Sequence, residues 1–315
     1  MFSEETNLET NIILALIAVG HFVCLVIYGL YVFLKYLNLL LYYLIVDGVR
    51  SMLSGELLLR QPIAGTQILI FGASGVSKKL ALKLARSDVN LIIFLDNDEC
   101  VLAEAIEFLQ QQGINRVRGH YVDFLNLHDI TEKAEQICAD YGNIDFIFNN
   151  FLFEQTAQST QNSATILHNI INAFLPSLRN QNKGHIVTLT NSRGLFGVSP
   201  LKLSSEVHAI IGMMESLRFE LKNTEIKTTT VCSSTGSLNS LWFLPPVDPD
   251  YLVNCTFEAV EIGQEHLMLP KSVKFLRLIQ NVTPTRFSDH FFKDINDSSG
   301  RELSEIPNSR IKCDQ

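Results

Sequence analysis

The sequence predicts a doubly wound parallel α/β sheet that carries an N-terminal transmembrane or hairpin hydrophobic anchor. Two observations support this prediction. An uncharged apolar run lies near the N-terminus, and from about residue 66 short continuous apolar runs alternate with stretches of helical periodicity. Strands that are apolar along their whole length are typical of a parallel sheet covered by helices on both faces.

Composition narrows the classes of protein to which this chain can belong. Its 315 residues are 47% hydrophobic and 18% charged, which excludes intrinsic disorder as the dominant state. The formal net charge of −8 argues against nucleic acid as a partner, because such binding requires clustered Lys and Arg. The six cysteines form no CxxC pair, so the sequence predicts neither a metal site nor a disulfide framework.

The apolar excess is concentrated near the N-terminus. Residues 12–34 contain no Lys, Arg, Asp or Glu, and at about 1.5 Å per residue such a helix spans a hydrocarbon core of roughly 30 Å. A second apolar run, residues 37–46, is too short to cross and is expected to lie in the membrane interface. Acidic residues precede the span, and Lys35, Arg50 and Arg60 follow it. The positive-inside rule therefore places the C-terminal bulk in the cytosol, and a re-entrant hairpin gives the same result.

These features divide the chain into four parts. Residues 1–11 are a short acidic N-terminus, residues 12–50 are the membrane anchor, residues 60–290 form the α/β domain and residues 291–315 are a polar tail. In the α/β domain six apolar runs are predicted as strands: 67–71, 91–95, 121–123, 146–148, 185–190 and 227–232. Five stretches are predicted as helices: 77–86, 101–112, 131–141, 165–178 and 206–221. Joined by right-handed crossovers, these elements indicate a Rossmann-like fold.

The turn after the first predicted strand has the composition of a phosphate-binding loop. Gly72 and Gly75 permit a tight turn and a close approach of the backbone, and the helix that follows directs its N-terminus at an anion. Asp96 ends the second predicted strand, where a carboxylate accepts hydrogen bonds from a ribose. This pattern points to a nucleotide site, and a plain strand-to-helix turn is the alternative.

Four further segments resemble the short-chain dehydrogenase/reductase superfamily: residues 184–188 (GHIVT), 194–197 (GLFG), 212–221 (GMMESLRFEL) and 226–232 (IKTTTVC). They are most similar to its membrane-anchored branch of epidermal retinol dehydrogenases and 17-beta-hydroxysteroid dehydrogenases. Residues 174–176 (FLP) and 268–270 (MLP) fit the same branch. The resemblance covers about residues 60–290 and implies a Rossmann-like fold, a hydrophobic anchor, a nicotinamide dinucleotide cofactor and a lipid alcohol as substrate.

The resemblance assigns cofactor contacts to particular residues. Gly72 and Gly75 would shape the phosphate turn, although this turn is one residue shorter than in the family and Ser77 replaces the third glycine. Asp123 would hold the adenine amino group, and Asn149 begins the segment that passes beside the cofactor. These assignments are expectations from the matching positions.

Two departures bear on which cofactor binds and whether it binds at all. Asp96 favours NAD over NADP because a carboxylate repels the 2′-phosphate, whereas Lys78 and Lys79 favour that phosphate. Phe151 and Leu152 replace the small Ala-Gly pair of the family, and their side chains obstruct the close approach of cofactor to chain. The expected cofactor is therefore NAD or none.

The catalytic positions of the family are vestigial in this chain. The family uses a Tyr as general acid/base and a Lys four residues later that lowers the pKa of the Tyr. One alignment register places Leu203 and Val207 at these positions, and the other places Ser204 and His208 there. Asn191 replaces the Ser that orients the substrate. Neither register supplies a Tyr or a Lys.

The sequence therefore supports two functional interpretations. Losing a general acid costs about 10²–10⁴ in rate, so the first interpretation is a catalytically degenerate, membrane-anchored pseudoenzyme with a binding, scaffolding or partner-subunit role in lipid metabolism. The alternative is an NAD(P)-dependent oxidoreductase that acts on the CH-OH group of a retinoid, steroid or other lipid alcohol, with His208 as an unfamiliar acid.

The expected partners follow from the anchor and from the resemblance. We expect contact with membrane lipid, a lipid-like small molecule as ligand, and a homodimer or a heterodimer with an active relative. The helices 165–178 and 206–221 would form that interface, for which apolar residues of the second helix such as Ile210 and Met214 are suited, and core burial is their alternative role. The expected location is the endoplasmic reticulum or a lipid droplet, with the α/β domain in the cytosol.

Overall fold

In the computed structural model, the described residues are 2–52, 60–150, 162–196, 201–233, 247–284 and 286. Within these ranges the side chains of residues 2–18, 44, 47–52, 193–194 and 201–203 are not described. The chain forms two compact units, Met1–Leu59 and Arg60–Gln315. The expected polar tail at 291–315 and the obstructing pair Phe151 and Leu152 lie outside the described residues.

The first unit contains one long helix, α1 (Phe2–Met52). Its segment Val19–Tyr43 has a mean hydropathy of 1.9 and no buried residue, and by length and composition it can cross a membrane. The helix is uninterrupted, so the two apolar runs lie on one element, and residues 2–52 contain no turn for a hairpin. Lys35 and Tyr36, which separate the two apolar runs, continue the helix, because Lys is a good helix former and neither residue removes a backbone hydrogen bond.

In the described part of the second unit, seven strands form the sheet. They are β1 (Gln67–Phe71), β2 (Leu91–Asp96), β3 (Val117–Tyr121), β4 (Phe146–Asn149), β5 (Gly184–Asn191), β6 (Ile226–Ser233) and β7 (His266–Leu269). All pairings are parallel, and the strand order is β3-β2-β1-β4-β5-β6-β7. The predicted doubly wound parallel sheet is therefore confirmed.

Helices follow the strands and cover both faces of the sheet. They are α2 (Gly75–Ala85), α3 (Glu99–Gln111), α4 (Leu127–Tyr141), α5 (Ser163–Gln181), α6 (Leu201–Glu220), α7 (Pro249–Glu261), α8 (Ser272–Val282) and a short 3-10 helix, η1 (Ser192–Phe196). Successive residues of a strand point to opposite faces of the sheet. Ile70 packs in the cluster that contains α2, α3 and α7, and Phe71 packs in the cluster that contains α4, α5 and α6.

The largest departures of element boundaries from the sequence prediction are in β3, α4 and α6, of which α6 begins five residues earlier than predicted, at Leu201. The third strand ends at Tyr121, where the prediction starts it, because this edge strand carries Arg118 and His120 and so lacks a continuous apolar run. Gly119 lets β3 lie close to α3, since a Cβ at this position would be 2.7 Å from the Cδ1 atom of Ile106. Helix α4 begins four residues earlier than predicted, because the Asn126 side chain accepts the first backbone N–H groups as an N-cap.

The apolar side of α6 belongs to the core of the monomer. Ile210, Met214 and Leu217 are each at most 5% exposed and lie in the cluster that includes α4 and α5. Ile211 packs instead with η1, β6 and α8. Of the two roles expected for these residues, the structure shows core burial, so they are not available as a dimer surface.

A buried histidine lies at the amino end of β5, away from the edge where β1 and β4 end. His185 is 1% exposed, and its Nε2 atom lies 2.8 Å from the Oγ1 atom of Thr229. That hydroxyl donates to the Gln264 carbonyl at 2.6 Å, so it accepts the Nε2–H of His185. Within the described residues Nδ1 has no partner, and burial lowers the pKa of His185 to about 3.

This histidine predicts a loss of stability in acid. The unfolded chain protonates His185 near its ordinary pKa of 6.5 and the folded chain does so near 3, so its contribution is complete above pH 6.5 and falls as the pH drops toward 3. His185→Gln should flatten the fall in melting temperature between pH 7 and pH 4, measured by circular dichroism on the full chain in detergent. His168→Gln, which removes an exposed imidazole on α5, serves as the control. Equal acid sensitivity of wild type and His185→Gln would contradict this explanation.

Candidate functional site

The candidate site lies at the carboxyl edge of the sheet, where β1 and β4 are neighbours. From β1 the chain adds β2 and β3 on one side of the sheet and then crosses to add β4 on the other side. The strand order therefore reverses between β1 and β4. In open α/β sheets ligands bind in the crevice at such a reversal. The loops that border it follow Phe71 of β1 and Asn149 of β4, which are opposite each other in the register.

The turn after β1 has the backbone geometry of a glycine turn. Gly72 has a φ of 85°, in the left-handed region that side chains disfavour, and its N–H donates to the Leu95 carbonyl at 2.9 Å. Helix α2 begins three residues later at Gly75. Both predicted glycines therefore lie in the turn between β1 and the N-terminus of α2.

Asp96 holds this turn against the end of β2. Its Oδ2 atom accepts the N–H of Ala73 at 2.7 Å, and Oδ1 accepts the N–H of Asp98 at 3.1 Å. The side chain is buried, which raises the pKa of the Asp96 carboxyl, and the two N–H bonds oppose the rise. A carboxylate offers about four acceptor positions, so Asp96 retains capacity for a ribose hydroxyl.

Ser77 fits the position of the missing third glycine. It is fully buried, and its Oγ atom accepts a hydrogen bond from the Asn150 Nδ2 atom at 2.5 Å. The backbone N–H of Asn150 donates to the Phe71 carbonyl at 3.0 Å. The Ser77 side chain therefore ties α2 to the segment after β4.

The two lysines at the start of α2 are paired with neighbouring helices. Lys78 Nζ lies 2.6 Å from Glu104 of α3, and Lys79 Nζ lies 2.8 Å from Asp250 of α7. A 2′-phosphate would have to compete with these carboxylates.

Asp123 stabilises the loop between β3 and α4. Its Oδ1 atom accepts the N–H of Leu125 at 3.0 Å, and its own N–H donates to the Asp129 carboxylate at 2.7 Å. The side chain is exposed at the carboxyl edge. It lies on the same edge as Asp96, although its observed contacts are those of a turn residue.

A group of buried polar atoms at the carboxyl ends of β4, β5 and β6 lacks hydrogen-bond partners within the described ranges. They are both amide atoms of Asn149, the Oδ1 atom of Asn150 and the hydroxyls of Thr190, Ser192 and Ser233. A buried polar atom without a partner costs about 1–3 kcal/mol, so a cluster of them indicates a place for a ligand. Sequence reasoning missed all of these except Asn149. The available signal was a polar residue at the end of each apolar strand.

In the first register, the catalytic position whose side chain the structure describes is apolar. Asn191 ends β5 opposite Ser233 of β6. On α6, Val207 is buried among apolar residues of η1, β6 and α8, whereas the side chain of Leu203 lies outside the described residues. Burial raises the pKa of Cys232, in the same apolar cluster, to about 12, so this thiol is inert near neutral pH.

The other register, Ser204 and His208, fares no better as an acid/base pair. Ser204 is buried and His208 is exposed, so the two side chains do not share one environment. The Nδ1–H of His208 donates to the Ser204 carbonyl at 2.9 Å within the helix. Between these positions Glu206 accepts the N–H of Ala164 at 2.7 Å and so holds the start of α5, a contact that the sequence analysis did not anticipate.

No group of three or more His, Cys, Asp or Glu side chains within the described ranges is placed to hold a metal ion. The site is therefore defined by glycine geometry, one buried carboxylate and uncharged hydrogen-bonding groups.

Comparison with known proteins agrees with this geometry. Residues 66–237 match the family described as short chain dehydrogenase. Epidermal retinol dehydrogenase 2 of Mus musculus is 28% identical over 254 residues, which cover 72% of this chain and 81% of the relative. Estradiol 17-beta-dehydrogenase 11 of Homo sapiens is 29% identical over 250 residues, which cover 72% of this chain and 82% of the relative. Because these relatives are named as dehydrogenases, they support the oxidoreductase interpretation more directly than the pseudoenzyme interpretation.

Solved structures show the same fold. A short chain dehydrogenase/reductase from Burkholderia phymatum, in complex with NAD, superposes with a TM-score of 0.59 at 18% identity and covers 70% of this chain and 94% of that one. The apo form of LigO from Sphingobium sp. strain SYK-6 gives a TM-score of 0.62 at 16% identity, covering 78% and 99%. The family match spans more than half of the chain, and it confirms the resemblance seen in the sequence: this protein belongs to the short-chain dehydrogenase/reductase family.

Proposed function

We propose that this protein is a membrane-anchored member of the family that binds a nicotinamide dinucleotide, preferentially NAD, and that does not catalyse efficient hydride transfer. One observation carries the proposal. The carboxyl edge keeps buried polar groups without a hydrogen-bond partner among the described residues, while the helix that supplies the acid/base pair of the family carries Leu203 and Val207 in one register and Ser204 and His208 in the other. Such a protein serves as a binding, scaffolding or partner subunit in lipid metabolism.

The residues at the edge fit the parts of the dinucleotide. The Gly72 turn and the N-terminus of α2 suit the pyrophosphate, and Asp96 suits the adenosine ribose. Asn149, Thr190 and Ser192 supply uncharged donors and acceptors for the nicotinamide end. When bound, the nicotinamide ring supplies or accepts a hydride.

Proton transfer is the step for which this chain is deficient. A hydride transfer to or from an alcohol carbon requires a proton to leave or join the oxygen, and the family uses an acidified phenol for this purpose. A Ser hydroxyl is far less acidic, and Val and Leu exchange no proton. Removal of one such group costs about 10²–10⁴ in rate, and groups that act as a unit leave little activity when one is lost.

A second candidate is an NAD(P)-dependent oxidoreductase that acts on the CH-OH group of a retinoid, steroid or other lipid alcohol. The relatives named as retinol and estradiol dehydrogenases favour it. In this chain His208 is the residue that would replace the phenol, because histidine is the side chain that most often serves as a general acid or base. Its exposure and its bond to the Ser204 carbonyl are the structural facts that this candidate has to accommodate.

We further propose that the α/β unit faces the cytosol at the endoplasmic reticulum or a lipid droplet. Glu4, Glu5 and Glu9 precede the candidate span, whereas basic residues follow it.

A homodimer or a heterodimer with an active relative would give an inactive subunit a role. Co-purification of the full chain that yields neither self-association nor an active relative would count against the subunit role.

The nucleotide site can be tested by replacing Asn149. The full chain in detergent should bind NAD more tightly than NADP in calorimetric titrations, and Asn149→Leu should weaken NAD binding by about tenfold or more. Without NAD the same variant should be as stable as wild type or more stable, because it removes buried polar atoms that lack partners. Asn180→Leu, on the exposed surface of α5, is the control. Failure of the wild type to bind NAD at millimolar concentration would refute the site.

Turnover separates the two candidates. The full chain, supplied with NAD and with retinol or estradiol in mixed micelles, should form no NADH above the rate without protein. If His208 acts as the acid, wild type turns over and His208→Ala lowers kcat by about 10²–10⁴, whereas His168→Ala does not. NADH formation by the wild type that depends on His208 would establish the second candidate and overturn the first.

A further inference from the structure

Helix α8 carries an exposed apolar stripe on the α/β unit. Phe275, Leu278 and Val282 are 64%, 60% and 76% exposed, and their spacing of three and four residues places them on one face of the helix. Val273 and Leu276 lie on the opposite side and are buried against residues of η1, α6 and β6. The helix is therefore apolar on two opposite sides, one packed in the core and the other exposed.

Cations accompany this stripe. Lys271 and Lys274 are exposed at the first turn of α8, and Arg286 is exposed just beyond its end. Phe, Leu and Val beside Lys and Arg form the composition of helices that lie in a membrane interface, where the apolar groups enter the acyl boundary and the cations meet anionic headgroups. The exposed stripe and its cations thus complement the surface of an anionic bilayer.

The same chain supplies the bilayer. Val19–Tyr43 of α1 is long and apolar enough to span a membrane, so a lipid surface is present at high effective concentration for the rest of the polypeptide. A weak contact between α8 and lipid then suffices, because the chain already holds α8 near the bilayer. This is the reason to assign the stripe to lipid rather than to a second copy of the chain.

We propose that α8 docks the α/β unit on an anionic membrane surface through Phe275, Leu278 and Val282, with Lys271 and Lys274 at the headgroups. The inference holds whether or not the sheet edge catalyses a reaction. Helix α8 packs on η1, and Gln280 Nε2 donates to the Phe196 carbonyl of η1 at 3.4 Å. Because η1 begins directly after β5, docking of α8 would bring one border of the candidate site close to the lipid. A lipid-like ligand that leaves the bilayer would arrive beside that border.

The test places a tryptophan on the stripe and asks whether lipid reaches it. Phe275→Trp is made in the full chain after the single native tryptophan is removed by Trp242→Phe, and the protein is reconstituted into vesicles of phosphatidylcholine and phosphatidylserine with or without brominated acyl chains. We expect brominated lipid to remove at least about half of the emission, since such helices bury their apolar face about 5–10 Å into the headgroup and acyl boundary. Lys271→Glu with Lys274→Glu should abolish this quenching.

A matched control is available on α6. Phe219 is 74% exposed, but Arg218, Glu220 and Lys222 around it are also exposed and no apolar stripe continues from it, so Phe219→Trp should show little quenching. Leu278→Trp provides a second probe of the stripe, and the thermal melt of each variant reports its folding.

Two results would overturn the proposal. One is equal quenching of Phe275→Trp and Phe219→Trp in folded protein. The other is a blue-shifted emission at the stripe that does not respond to brominated lipid and grows with the ratio of protein to lipid, which would show that a second copy covers α8.

Discussion

The Asp96 carboxylate ties the glycine turn after β1 to the end of β2, and the proposed nucleotide site depends on this contact. The N–H groups of Ala73 and Asp98 both donate to it, so the turn is held in the conformation that Gly72 permits. The hydrogen bond from Asn150 to Ser77 ties the other side of the crevice to α2. Together these contacts fix both borders of the reversal between β1 and β4 before any ligand is present, which is the preorganisation that tight binding requires.

A fixed crevice with polar groups that lack partners is costly to a fold without a ligand. Each such group at the ends of β4, β5 and β6 reduces stability, and proteins tolerate this where function requires it. The family's Lys position on α6 contributes to stability instead, because Val207 packs in an apolar cluster with Cys232 and Leu276. Under the proposed function, the binding part of the site is retained in this chain and the proton-transfer part is not.

Much of the architecture was predictable from the sequence. Continuous apolar runs such as Ile68–Phe71 are typical of buried parallel strands, and five of the seven described strands, together with the glycine turn, were located correctly for this reason. The polar edge strand β3 was misplaced because its residues alternate, and β7 was missed because it begins with His266 and three of its four residues are only half-buried, unlike the fully buried β4. Contacts between distant residues, such as Glu206 with the start of α5, leave no local pattern. Nor does the sequence distinguish the exposed side of α8 from its buried side, since both are apolar.

The central claim is that the fold and the binding edge are intact and that the Tyr and Lys of the family are what this chain lacks. The most direct measurement is NADH formation from retinol or estradiol by the full-length double variant Leu203→Tyr with Val207→Lys, compared with wild type at saturating NAD. The account predicts no turnover by wild type and measurable turnover by the double variant. Turnover by wild type at a rate equal to that of the variant, or an inactive variant that still folds and binds NAD, would contradict it.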